Sequence, residues 1–148
     1  MPVYNAPIRD FMFALNEWLE IEQYSDIEGF EDTSILEPIF DEGERFCKEV
    51  LFPLNQSGDE EGLKFDNGKV HLPKGFIEAY KQYVEGGWDS FACDTAYGGQ
   101  GLPNTFNTPL IEMICSTNLS FGLMPGLTHG AYSALHLFGT EKQKQKYL

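Results

Sequence analysis

Few residues in this chain are of a type and spacing that could do chemistry. His71, His129 and His136 are far apart, and the last two, two helical turns from one another, supply at most half of a metal site. We read them as core histidines with satisfied rings and expect no metal. Cys47, Cys93 and Cys115 form no CxxC pair and have no histidine at zinc-finger spacing, so they are expected to be reduced, buried and apolar in behaviour. No Ser-His-Asp arrangement can be assembled. Gly98-Gly99-Gln100-Gly101 has the composition of a phosphate cradle but lacks the following Lys-Ser/Thr and a preceding parallel strand, and it reads as a structural turn. Glu112 stands alone within a nearly charge-free run, which predicts a buried ion pair with Arg9 or Arg45. Gly122, Gly126 and Gly130 recur every four residues. On an unbroken helix they would leave an apolar groove, whereas Pro125 equally permits a turn between two helices.

The elements around these residues are helical. Ile8, Phe11, Met12, Leu15 and Leu19 predict an amphipathic helix over 7–20, with Pro7 at its start. Leu36, Ile39, Phe40, Phe46, Cys47, Val50, Leu51 and Leu54 predict a longer one over 34–55, kinked or ended by Pro53. Alternation around Asn67-Gly68 predicts a small hairpin over 63–72. Pro73 is expected to open a third helix that Gly86-Gly87 stops, and further helices are expected near 107–117 and 127–138. Thr140 and Gln143 form a capping-box signature for a sixth. The fold class is therefore all-α, a bundle of about six helices in one 148-residue domain.

Charge is distributed unevenly. The chain has 10 Lys+Arg against 23 Asp+Glu, a net charge of −13, which repels phosphate backbones and argues against a nucleic-acid partner. Nearly all of that charge precedes Gly86, and no charged residue lies between Met113 and Thr140. The uncharged run is long enough to span a bilayer but carries Ser116, Thr117, Asn118, Ser120, Pro125, His129 and His136. It is expected to be a buried helical pair, mostly out of water, and not a membrane span. The start shows no basic region followed by an apolar one, so a cytoplasmic location is expected, and the abrupt charged ending at Leu148 reads as a domain interrupted.

Gly87-Trp88, then Asp94-Thr95-Ala96-Tyr97-Gly98-Gly99-Gln100-Gly101-Leu102-Pro103, then Gly139-Thr140-Glu141-Lys142-Gln143-Lys144-Gln145-Lys146-Tyr147-Leu148 resemble, in order and spacing, the N-terminal helical domain of the acyl-CoA dehydrogenases. Tyr4-Asn5-Ala6-Pro7-Ile8-Arg9-Asp10 is similar to an N-terminal extension, here 1–31, found in a large branch whose members act on 3-methylmercaptopropionyl-CoA and straight-chain acyl-CoAs. Cys93-Asp94-Thr95-Ala96 departs from the Pro-Glu type of lead that is commoner before Tyr-Gly-Gly. The resemblance implies a parent enzyme with a central β-domain holding much of an FAD and a C-terminal helical domain, neither of them in this chain. It implies α,β-dehydrogenation of an acyl-CoA in fatty-acid oxidation: a base takes the α-proton and the β-hydrogen passes as hydride to the flavin. It further implies reoxidation by an electron-transferring flavoprotein and assembly as a homo-oligomer. This chain would contribute an apolar wall to the acyl pocket at Gly122, Leu123, Gly126 and Gly130, would hold no catalytic residue, and would be inactive alone. A free-standing helical interaction module, with 113–140 as its interface, is the alternative reading.

Overall fold

A computed structural model describes residues 3–148; Met1 and Pro2, which open the stretch read for a leader, lie outside the described residues. Its elements are helices α1 (Ile8–Phe13), α2 (Leu36–Phe46), α3 (Phe52–Glu61), α4 (Phe76–Glu85), α5 (Asn104–Phe138) and α6 (Glu141–Tyr147), with one hairpin, β1 (Lys64–Asp66) and β2 (Lys69–His71). The architecture is all-α. The hairpin is antiparallel and turns through Asn67 and Gly68, both at positive φ, as the Asn-Gly signature requires.

Two helices widen into a π-turn. α1 runs into Ala14–Trp18, where the Leu19 N–H donates to the Ala14 carbonyl at 2.9 Å. α2 runs into Cys47–Leu51, closed by the Phe52 N–H donating to the Cys47 carbonyl. The second turn explains why Pro53 fails to end this helix near residue 55. After the wide turn Pro53 falls in the first turn of α3, where a missing N–H costs nothing, and the helix continues to Glu61. Pro73 does not open α4, which begins three residues later after Gly75 at φ 91°. Its expected stop holds: the Gly86 N–H donates to the Gln82 carbonyl and Gly87 turns the chain at φ 74°.

The core lies between α2 with its π-turn and the first half of α5. Leu36, Phe40, Gly43, Phe46, Cys47 and Leu51 form the buried stripe of one, and Phe106, Leu110, Met113, Ile114, Thr117 and Phe121 that of the other. A Cβ at Gly43 would stand 2.6 Å from Leu110 Cδ2, so glycine sets how closely these helices approach. The N-terminal segment closes one side, burying Phe11, Leu15 and Ile21, and is tied on by the Ala6 N–H donating to Glu44 Oε1 at 2.8 Å.

The uncharged run departs most from expectation. It is two helices in succession, as expected, but they meet at a kink on Asn118 (φ −158°, ψ 85°) and not at the Gly-Pro segment, and Pro125 is carried inside the second. Burial ends at Phe121. From 122 to 138 no residue is buried, and Leu127 and Phe138 are 77% and 86% exposed, so the expectation that the whole run is out of water fails for its second half. By length and hydropathy α5 could cross a bilayer, but its first half is occupied in the core. Glu112 is exposed on the far side of this half and has no ion pair among the described residues; Arg45 pairs with Glu42 instead, three residues away on its own helix.

Candidate functional site

Asn118 builds the bend in α5. Its Oδ1 accepts the Phe121 N–H at 3.0 Å and the Ser120 hydroxyl at 2.7 Å, which makes it the N-cap of the outer half, residues 119–138. Its Nδ2 donates to the Leu51 carbonyl at 3.2 Å, tying the bend to the end of the α2 π-turn. Thr117 donates to the Met113 and Ile114 carbonyls at the end of the inner half. Thr117 and Asn118 are both buried, and their polar groups are satisfied within the protein.

The bend leaves a cavity of about 220 Å³ between α2, the two halves of α5 and the Trp88–Ala92 segment. Phe46, Tyr83, Trp88, Ile114 and Pro125 give it an apolar lining, with Asp89, Asn107 and His129 as its polar members. Tyr83 is fixed by its hydroxyl, which donates to the Trp88 carbonyl at 3.2 Å, and by an edge contact with Phe121 at 5.7 Å between centroids. Burial pushes its phenol well above the usual range, so it stays protonated. Cys47 and Cys115 also line the cavity. Burial raises the Cys47 thiol to about 12, which leaves it neutral near pH 7 and without nucleophilic force.

The four residues expected at an acyl-chain wall fall in different places. Gly126 lines the cavity, and a Cβ there would meet nothing within 4 Å. Gly122 lines it too but is tight, its Cβ position lying 3.2 Å from Ile114 Cγ2 and 3.4 Å from Cys115 Sγ. Gly130 faces open space outside the cavity, and Leu123 is exposed on the outer face of the helix. The bend and the aromatic lining went unread in the sequence. The available signal was Asn118 itself, a strong N-cap residue inside an apolar run.

The histidines are not core residues. His129 and His136 are half-buried on the outer half of α5, stacked on either side of Tyr132 at 5.9 and 5.4 Å. His136 Nε2 is 2.9 Å from Asp94 Oδ2, and the Asp94 N–H donates to the Tyr132 hydroxyl at 2.7 Å. Asp94 also accepts the Ala96 N–H, and this bond together with His136 holds its carboxyl below the usual range. The glycine turn that follows is closed on itself: a Cβ at Gly99 would lie 2.1 Å from the Cys93 carbonyl, and the Gly101 N–H donates to that oxygen. It is a structural turn that anchors the outer half of α5. All three thiols are free, but only Cys47 is buried; Cys93 and Cys115 are half-buried. No cluster able to hold a metal occurs among the described residues. A larger and more open concavity of about 670 Å³ has a mixed lining, with Glu42, Arg45, Glu49 and Glu85 beside Ile39, Val50 and Trp88.

The site is thus a mainly apolar recess with a few polar side chains at its edge. It can hold and shape an apolar group. A family model for the N-terminal domain of acyl-CoA dehydrogenases matches residues 36–148. The chain is 42% identical over an alignment of 151 positions to the 3-methylmercaptopropionyl-CoA dehydrogenase of Ruegeria pomeroyi and 29% identical over 154 positions to a butyryl-CoA dehydrogenase of Syntrophomonas wolfei. Each alignment takes in 98% of this chain and 25% of the relative, so the chain spans about a quarter of the length of the curated relatives it matches. With its helical core from Leu36 onward covered by that model, the chain belongs to the acyl-CoA dehydrogenase family, as its N-terminal domain.

Proposed function

We propose that this chain forms one wall of the acyl-chain pocket in an FAD-dependent acyl-CoA dehydrogenase, which removes the α- and β-hydrogens of acyl-CoA thioesters in fatty-acid oxidation. The observation that carries the reading is the apolar cavity under the bend of α5, with Gly126 open into it. Its room, about seven water volumes at ~30 Å³ each, suits an aliphatic tail more than a polar headgroup. By excluding water and fixing the tail, such a wall holds the reacting carbons in position for groups supplied elsewhere.

The described residues do not fit an FAD. The glycine turn is packed against its own backbone, and the chain's charge of −13 opposes a pyrophosphate. We therefore assign the flavin, the catalytic base and the contact with an electron-transferring flavoprotein to the rest of a longer parent, and expect this chain alone to be inactive. The unburied outer half of α5 supports the same reading, because a pocket wall must meet the other walls; a free-standing interaction module draws only on that exposure. We also propose a cytoplasmic, homo-oligomeric parent, consistent with three unpaired thiols in the chain.

The test is Gly126→Leu in the full-length enzyme, assayed on a ladder of acyl-CoAs. A leucine side chain would occupy the open space at Gly126, and each substrate methylene denied burial loses about 0.8 kcal/mol, or roughly fourfold in kcat/KM. The expected result is a loss that grows with chain length. A uniform loss along the ladder would reject the pocket reading.

A further inference from the structure

Beyond Phe121 the outer half of α5 buries no residue, yet its Gly122, Pro125 and Gly126 close one side of the cavity. Among the described residues, its side chains reach another element by hydrogen bond only at Tyr132 and His136, and both meet Asp94. The Tyr132 hydroxyl accepts the Asp94 N–H at 2.7 Å, and His136 Nε2 lies 2.9 Å from Asp94 Oδ2. One turn apart on the helix, the two rings stack at 5.4 Å between centroids and grip a single residue of the glycine turn. Only one of these contacts depends on charge. Histidine is the side chain whose charge ordinarily changes between about pH 5 and 8, and a protonated ring adds an ion pair to a hydrogen bond that the neutral ring can still donate.

We propose that Asp94, Tyr132 and His136 form a clasp that holds the outer half of α5 against the cavity, tight while the imidazole of His136 is charged and looser once it has lost its proton. The groups around the ring set the sign. The turn contributes Asp94 and the Tyr97 ring, edge-on at 6.1 Å, and the helix itself contributes Tyr132, with His129 stacked beyond it. From α6 comes Lys144, which pairs with Glu141 at 3.5 Å and whose charge also acts on Asp94, and Glu28 of the N-terminal segment lines the same concavity as His136. Lys144 and a protonated His129 oppose a positive ring, Glu28 favours it, and Asp94 favours it from hydrogen-bond distance. The Asp94 carboxyl stays charged throughout this range, because the Ala96 N–H and His136 hold it below its usual range. The clasp is therefore strongest below the titration of the histidine and weakens as pH rises through it. With side chains 34% and 37% exposed the ion pair is modest, but little else holds this half, and the clasp acts whatever the cavity binds.

Amide exchange followed residue by residue by NMR reads the clasp directly, because the Asp94 N–H is shielded while the Tyr132 hydroxyl covers it. The comparison is with His136→Gln, which keeps an N–H donor for Asp94 but carries no charge, at the same pH so that intrinsic exchange cancels. Protection at Asp94 and at 122–138 is expected to be about two- to fivefold greater in the unmodified chain at about pH 5.5, to lose part of that advantage in added salt, and to match the variant at about pH 8. Asp94→Asn keeps an acceptor for the Ala96 N–H and is expected to abolish the pH dependence at 122–138 in the same way. His129→Gln should leave that dependence in place, whereas Tyr132→Phe should lower the protection of Asp94 equally at both pH values. A ratio of one between the unmodified chain and His136→Gln throughout, or a ratio that does not change with pH, would overturn the proposal, as would loss of the pH dependence in His129→Gln.

Discussion

Replacing Asn118 by alanine tests whether one amide holds the bend of α5 to the π-turn of α2. The residue is 1% exposed and makes two separable contributions. Its Oδ1 caps the outer half through the Phe121 N–H, and losing such a cap costs about 1 kcal/mol. Its Nδ2 satisfies the Leu51 carbonyl, and a buried carbonyl left without a donor costs about 1–3 kcal/mol. Asn118→Ala is therefore expected to lose about 2–4 kcal/mol, a large share of the roughly 5–15 kcal/mol that holds a domain together. At this chain length that corresponds to a fall in Tm of roughly 5–15 °C. Asn118→Ser retains an acceptor for the Phe121 N–H but has no donor long enough for Leu51, so it should lose only the second part. Urea unfolding of the three proteins gives the comparison. An alanine variant within about 0.5 kcal/mol of the parent, or a serine variant no better than alanine, would refute the idea that Asn118 serves both helices.

Gly43→Ala and Gly130→Ala should shift stability in opposite directions. A methyl at 43 meets Leu110 Cδ2 at 2.6 Å and Met113 Cε at 3.1 Å, an overpacking worth about 1–3 kcal/mol, while at 130 it meets nothing within 4 Å and only improves helix propensity, by about 0.5–1 kcal/mol. Urea midpoints moving the same way for both would count against the packing described. Stability should also fall in alkali. Burial lifts Cys47 from 9.0 to about 12 and Tyr4 from 10.0 to about 12, so between pH 9 and 12 the folded state binds more protons than the unfolded one and stability is lost as pH rises. Cys47 alone can contribute at most about 1.4 kcal/mol per pH unit in that window. Urea midpoints measured under reducing conditions should decline above pH 9 and decline less in Cys47→Ala; midpoints flat to pH 11 would contradict this.

Periodic burial was the part of this molecule most legible in its sequence. The stripes of α1 and α2, the Asn-Gly hairpin and the Thr140–Gln143 capping box all rest on interactions within a few residues, and each forms where its pattern predicts, whereas α4 starts later than expected and buries Ala79 and Tyr83. Misreadings gathered where a distant residue decides a local outcome. Pro53 looked like a stop because its neighbours alone do not reveal a π-turn that moves it into the first turn of α3. Pro125 looked like a break, but the break lies at Asn118, whose side chain finds one partner three residues ahead and another 67 residues back, and the second is invisible to any periodicity. The candidate site follows the same division. Four-residue glycine spacing could show that Gly122, Gly126 and Gly130 share a helical face, but not that the bend turns Gly122 against Ile114 while Gly126 opens into the cavity. Absence of charge was the least specific signal. From Met113 to Phe121 it marks a core, whereas from Gly122 to Phe138 the same absence marks a face open to solvent in this chain. A buried face and a face awaiting another surface share one requirement, that no charge be desolvated on contact, so composition alone cannot separate them. What separates them here is the kink at Asn118, after which Phe121 is the last residue of the helix to be buried.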